Sequence, residues 1–195
     1  MVVEFDGAPS YEYEPLDLTK HQIRLIKLDG EPVSQTICCK IATFDLTEAP
    51  PYTALSYTWG TPSPTYSIWL NERKFDVREN LYRFLIGFRP CNEDPVYIWI
   101  DQICIDQRSA IERNHQVAQM RDIYQRSLHV ISWLGLKESD VEAAQAFHDT
   151  GDVMKLKALL SNKYFTRIWI IQEILLAPEV RLLCGNILIS SPDMK

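Results

Sequence analysis

No glycine-rich phosphate loop occurs in this chain: the patterns G-x-x-x-x-G-K-[ST], G-x-G-x-x-G and G-x-S-x-G are all missing. Their absence removes the usual sequence signals of a P-loop hydrolase, a Rossmann dinucleotide turn and a serine-hydrolase elbow. Basic charge is also short, with 20 lysines and arginines against 26 acids and a net charge of −6. Non-specific nucleic-acid binding needs the opposite balance, gathered in a basic stripe. The acids are scattered along the chain, so no acidic tail emerges either.

Metal-ligand spacing is absent as well. None of the five cysteines (Cys38, Cys39, Cys91, Cys104, Cys184) forms a C-x-x-C pair, and His115 and His129 stand at no ligand spacing from them. Cys38 and Cys39 are adjacent in a strand, so their side chains point to opposite faces. That geometry and the odd count fit buried free thiols rather than a disulfide framework or a zinc site. No secretory leader follows Met1, and no apolar run approaches the length of a bilayer span. The expectations are a reducing, cytoplasmic setting, with no metal and no membrane span.

What is present is an ordinary globular composition, 46% apolar and 24% charged over 195 residues, which is enough for one domain with a sizeable core. Residues 1–14 read as a loose, flexible lead-in and residues 15–195 as a single domain. Strand signals run over Gln22 to Leu28 and Thr36 to Phe44, with a reversal at Asp29-Gly30 and a connection through Glu31 to Gln35. Tyr52 to Trp59 is a third strand candidate ending at Gly60. Ser67 to Leu70 and Lys74 to Val77 read as a hairpin around Asn71-Glu72-Arg73. Leu81, Phe84, Leu85 and Phe88 carry helical spacing.

Val96 to Ile100 is a short apolar run, consistent with a strand buried on both faces, and it runs into Asp101. Ser109-Ala-Ile-Glu112 is a capping box that announces a helix to about Ser127, with Ile111, Val117, Met120 and Tyr124 as its buried stripe. Leu128 to Leu134 is the next strand. A second capping box, Ser139-Asp-Val-Glu142, opens a helix to about His148, and Val153 to Leu160 continues in helical character. The segment Thr166 to Leu176 reads as helical and stops at Ala177-Pro178. Val180 to Cys184 and Ile187 to Ser190 flank Gly185-Asn186. Strands alternating with helices in the central half predict an α/β fold with a mostly parallel sheet, crossover helices and antiparallel hairpins added at either end.

Ligands of open α/β sheets bind beyond the carboxyl ends of the strands. Tyr57-Thr-Trp59-Gly60, Asp101 to Gln107 and the Trp133–Gly135 turn reach such ends. Gly60 either admits a ligand close to the backbone or serves only the turn. Asp101 either faces a site or caps a loop and pairs with Arg108 or Arg113, as Asp106 also could. The tryptophans read first as core or strand-face residues. Arg108, Arg113, Arg121 and Arg126 either mark the solvated face of one helix or, for one or two of them, hold a phosphate. Glu173 is the one carboxylate in an apolar run, four residues after Trp169, so a helix would stack the two on one face. A carboxylate there either pairs, with Arg167 or a backbone donor, or has a chemical role.

Tyr52 to Gly60, Trp99-Ile-Asp-Gln-Ile-Cys-Ile-Asp-Gln107, Glu112-Arg-Asn-His-Gln-Val117 with Met120 and Ile123-Tyr124, Trp133-Leu-Gly135 and Arg167-Ile-Trp-Ile-Ile-Gln-Glu173 together resemble the fungal heterokaryon incompatibility (HET) domain. Tyr13-Glu-Pro-Leu16 followed by Ile23-Arg-Leu25 is similar to that family's usual start. Two departures sit in one motif: Gln102 replaces a small residue, and Asp106 replaces an asparagine and so exchanges an amide donor for a carboxylate.

HET domains resemble Toll/interleukin-1 receptor (TIR) domains, whose fold is flavodoxin-like. The resemblance implies non-self recognition, programmed cell death, self-association and no resident cofactor. It places Glu173 as the catalytic carboxylate of an NAD+ glycohydrolase, with Tyr57, Trp59, Gly60, Asp101 and Trp169 lining the NAD+ pocket. Cleavage would develop an oxocarbenium-like ribose that a single carboxylate can stabilise. A non-catalytic signalling or oligomerisation module is the rival, and a phosphate- or nucleotide-sensing domain that binds without hydrolysis is a third alternative. A Glu173 open to a cleft favours the enzyme, and an enclosed, salt-bridged Glu173 favours the module.

Overall fold

Nine strands share one sheet in the order β5-β4-β2-β1-β6-β3-β7-β8-β9. The computed structural model describes residues 5, 7–29, 36–88 and 97–190. Gly30, the connection from Glu31 to Gln35, Cys91 and Val96 lie outside them. The strands are β1 (Gln22–Leu28), β2 (Cys38–Asp45), β3 (Tyr52–Tyr57), β4 (Thr65–Leu70), β5 (Arg73–Arg78), β6 (Tyr97–Trp99), β7 (His129–Gly135), β8 (Val180–Cys184) and β9 (Ile187–Ser190). The helices are α1 (Glu79–Gly87), α2 (Asp101–Cys104), α3 (Ala110–Arg126), α4 (Glu138–Thr150), α5 (Val153–Leu159) and α6 (Ile170–Leu175). A 3-10 turn covers Lys163–Thr166.

The sheet is mixed, which corrects the expectation of a mostly parallel one. β6, β3, β7 and β8 form a parallel block. On one side, β1 pairs antiparallel with both β2 and β6, β2 meets β4 in a short parallel pairing, and β4 pairs antiparallel with β5. On the other side β9 returns antiparallel along β8. The hairpins therefore extend the sheet itself. Their own alternation could not reveal this, because one buried face suits a sheet edge and a separate ribbon equally.

Every residue of β3 is buried, as a central strand covered on both faces requires. One apolar cluster joins β1, β3, β6 and β7 to α1 and α3, and a second gathers Ala144, Phe147 and Leu159 against Leu182 and Ile189. The β4–β5 hairpin turns through Asn71 (φ 48°) and Glu72 (φ 62°), the paired positive angles that keep a two-residue turn in step with strand twist. Of the lead-in, Ser10 bridges to Lys74 and the Tyr13 hydroxyl donates to the Ile103 carbonyl at 2.7 Å.

Two helices differ from their sequence patterns. In α3, Ser109 caps the Glu112 amide at 3.2 Å as expected. The Glu112 carboxylate, however, turns inward to Arg24 at 2.6 Å and accepts from the Asp106 amide at 2.7 Å. That buried pair draws polar residues onto the inner face, so Gln116 and Gln119 are buried with Met120, Ile123 and Tyr124 while Ile111 and Val117 are exposed. α4 begins one residue before Ser139, on Lys137 and without a side-chain cap. Ser139 instead meets the Asp140 carboxylate at 3.2 Å.

Candidate functional site

Within the parallel block, β3 comes first in the chain but lies between β6 and β7. The connections therefore leave β3 in opposite directions, and a crevice opens at the carboxyl ends of such strands. Ser56 on β3 pairs with Ser132 on β7 in the sheet register, so both hydroxyls face the same side. The Tyr164 hydroxyl, carried by the 3-10 turn, bridges them, at 2.5 Å to Ser56 and 2.8 Å to Ser132.

Glu173 enters this group from α6. Its carboxylate accepts from the Ser56 hydroxyl and takes both arms of the Arg167 guanidinium, at 2.8 and 2.9 Å. Arg167 also donates to Ser56 at 3.2 Å and lies over the Tyr164 ring. Glu173 is 2% exposed, and its Arg167 partner is 20% exposed. A buried carboxylate gripped by a fork of guanidinium donors satisfies its charge and resists opening.

A second carboxylate lies close by. Asp101 sits at the first position of α2, accepts from the Trp59 indole N–H at 2.7 Å and from the Gln102 amide at 2.7 Å. Burial raises its pKa to about 6, against the lowering effect of the Trp59 bond and with added repulsion from Glu173. The Tyr57 hydroxyl is buried next to the Asp101 carboxylate. Burial first and the Asp101 charge second hold its proton well above the usual range. Tyr124, reaching in from α3, is raised for the same reason, with Glu173 as its first charged neighbour. Arg78 covers the outer face of Trp59 at 4.8 Å and donates to the Gly60 carbonyl at 3.1 Å.

Tyr57, Trp59, Gly60 and Asp101 are thus gathered at one sheet end, with Glu173 close enough to perturb Asp101 electrostatically. Trp169 is set apart. It occupies the N-cap of α6, which starts only at Ile170 because a 3-10 turn precedes it. The backbone bond from Glu173 N–H to the Trp169 carbonyl, 3.2 Å, preserves their one-turn spacing. Yet the Trp169 side chain is 47% exposed while Glu173 is enclosed. Asp101 pairs with Trp59 and not with Arg108 or Arg113. Asp106 is met by the Arg108 amide at 3.0 Å and side chain at 3.4 Å.

Sequence reasoning missed Ser56, Ser132, Tyr164, Asn80 and Asn162. A lone serine in each of two apolar strands was the available signal, since an isolated buried hydroxyl demands a partner. Two cavities flank this sheet end. One of about 660 Å³ lies over Trp133, between Asn80, Lys137, Asn162 and Lys163. The other, about 410 Å³, lies against Trp59, with Tyr13, Phe75, Arg78 and Arg108 on its walls. Glu173 lines neither. Among the described residues no group of three His, Cys, Asp or Glu side chains could hold a metal ion. None of their helices is long and apolar enough to cross a membrane.

Heterokaryon incompatibility protein 6, OR allele, of Neurospora crassa is 29% identical over 173 residues, which cover 81% of this chain and 24% of that protein. The chain thus spans about a quarter of the length of that curated relative. No solved structure matches it. The sequence profile of the heterokaryon incompatibility protein (HET) family matches residues 52–155, a stretch containing the β3 crevice, Asp101, α3 and the β7 turn. Matched over more than half its length, the chain belongs to the heterokaryon incompatibility (HET) family.

Proposed function

We propose that this chain is a cytoplasmic non-self-recognition domain that triggers cell death as a TIR-like signalling module and does not itself cleave NAD+. One observation carries the reading. Glu173 is 2% exposed and held bidentately by Arg167, so no ribose can reach it without breaking that pair. The strand order supports the TIR and flavodoxin likeness: numbered among themselves, the four parallel strands run second, first, third, fourth across the sheet. Self-association belongs to the same reading, with the exposed Ile168, Trp169 and Leu175 as the apolar surface available to it.

The catalytic reading is favoured by a different observation. The Trp169–Glu173 spacing falls beside Asp101 and the β3 crevice, where a dinucleotide would lie. On that reading Arg167 is displaced during assembly, and Glu173 then stabilises the developing ribose cation. Nicotinamide release from NAD+ separates the two when it is measured on wild type, Arg167→Ala and Glu173→Ala at concentrations that favour association. The module reading expects no release from any of the three. Release by wild type or Arg167→Ala that is abolished in Glu173→Ala overturns it in favour of the enzyme.

A further inference from the structure

The geometry points to a nucleoside-diphosphate site in the 660 Å³ cavity at the carboxyl ends of β3 and β7, separate from the Glu173 pocket. Its volume falls within the range that encloses a small organic ligand. Its two asparagine side chains are already committed to the protein. Asn80 donates to the Thr58 carbonyl at 2.6 Å and accepts from the Trp133 indole at 3.0 Å. Asn162 donates to Asp140 at 2.6 Å and to the Leu134 carbonyl at 3.2 Å, and accepts from the Tyr164 amide at 2.8 Å. Gly60 (φ +74°) and Gly135 (φ +97°) both take left-handed angles beside Asn80, which keeps the rim low.

Asp140 also stands on this wall, but its carboxylate is taken by Lys137, Ser139 and Asn162. With the amides and that acid committed, the charged groups left to meet a ligand are two lysines, beside the Thr58 and Ser161 hydroxyls. Lys163 has no carboxylate partner among the described residues, and Lys137 touches Asp140 only at 3.4 Å. Both ammonium groups are exposed, they arise from different elements, and they border one cavity in a chain whose net charge is −6. Two separated cations match two phosphate groups. Apolar Leu134, Leu136 and Ala158 on the same walls offer a surface for a base. The two lysines therefore suit a diphosphate, and the apolar side chains a nucleoside. This inference does not depend on whether Glu173 performs chemistry.

The test is calorimetric titration with ADP, with adenosine and inorganic pyrophosphate as the other two probes. ADP is expected to bind with an affinity that falls as salt rises. Adenosine and pyrophosphate should each bind on the order of tenfold more weakly. Lys137→Ala and Lys163→Ala should each weaken ADP by about tenfold, with unchanged melting because both side chains are exposed. In a parallel measurement, ADP should shield both lysines from acetylation as read by mass spectrometry. No ADP binding at millimolar concentration, or lysine variants that bind as wild type does, overturns the site. Pyrophosphate binding as tightly as ADP reduces it to a simple anion site, and adenosine binding as tightly as ADP removes the diphosphate; either result refutes the assignment.

Discussion

Removing Arg167 tests whether the polar group beneath α6 is held by charge. Arg167→Ala deletes the contacts at 2.8 and 2.9 Å and leaves a 2% exposed carboxylate with only the Ser56 hydroxyl. Breaking a buried ion pair from one side costs about 3–5 kcal/mol, because the remaining charge stays out of water. Arg167 is itself 20% exposed, which places the expected loss at the low end, about 3 kcal/mol. For a domain of this size that is a fall in Tm of roughly 6–12 °C. Glu173→Leu should cost less, about 1–2 kcal/mol, since the freed guanidinium can turn to solvent. In the Glu173→Leu background, Arg167→Ala should then cost only about 1 kcal/mol, a coupling near 2 kcal/mol. Urea unfolding of the four proteins measures this directly. Equal costs of Arg167→Ala with and without the carboxylate refute the reasoning.

Asp101 provides a pH test whose sign follows from its raised pKa. The folded form holds this proton more tightly than the unfolded chain does, with a pKa of about 6 against 3.8. Its contribution thus favours folding below about pH 4 and is lost as pH climbs through about 6, by roughly 3 kcal/mol in all. The stability of wild type minus that of Asp101→Asn should fall across this window and level off above it, and a flat difference there rules the argument out. The thiols give a second, simpler readout. Burial raises the Cys39 and Cys104 thiols to about 12 and Cys184 to about 11, while Cys38 is exposed. In a Cys91→Ser background near pH 8, Ellman's reagent should titrate one thiol before unfolding, and a second fast-reacting thiol contradicts the packing.

The sequence made some parts of this fold legible and hid others for physical reasons. Periodicity located β1, β8 and β9 at the residues the structure gives them, and found β3, α1 and β7 to within a few positions, because each presents an apolar pattern to the core. It gave α3 its extent and found Met120 and Tyr124 on the buried face, but misplaced Ile111 and Val117 and missed Glu112 and Gln116, which are buried by partners 88 and 94 residues away, Arg24 and the Gln22 carbonyl. A local pattern carries no record of such pairs. The parallel block was readable from alternating strands and helices, whereas the pairing of β1 with β6 was not, since only tertiary contact sets it. At the site, the glutamate and its Arg167 partner were visible as a charged pair in an apolar run. Tyr164 and Asn162 were not, because their importance comes from where a short 3-10 turn sets them down.

That turn has a mechanical consequence. Asn162 stands on the wall of the larger cavity, and Tyr164, two residues on, grips the serines beneath Glu173. One rigid corner therefore belongs to both places. Whatever occupies the cavity and shifts Asn162 alters the work needed to prise Arg167 away, and thermodynamic reciprocity makes the converse equally true.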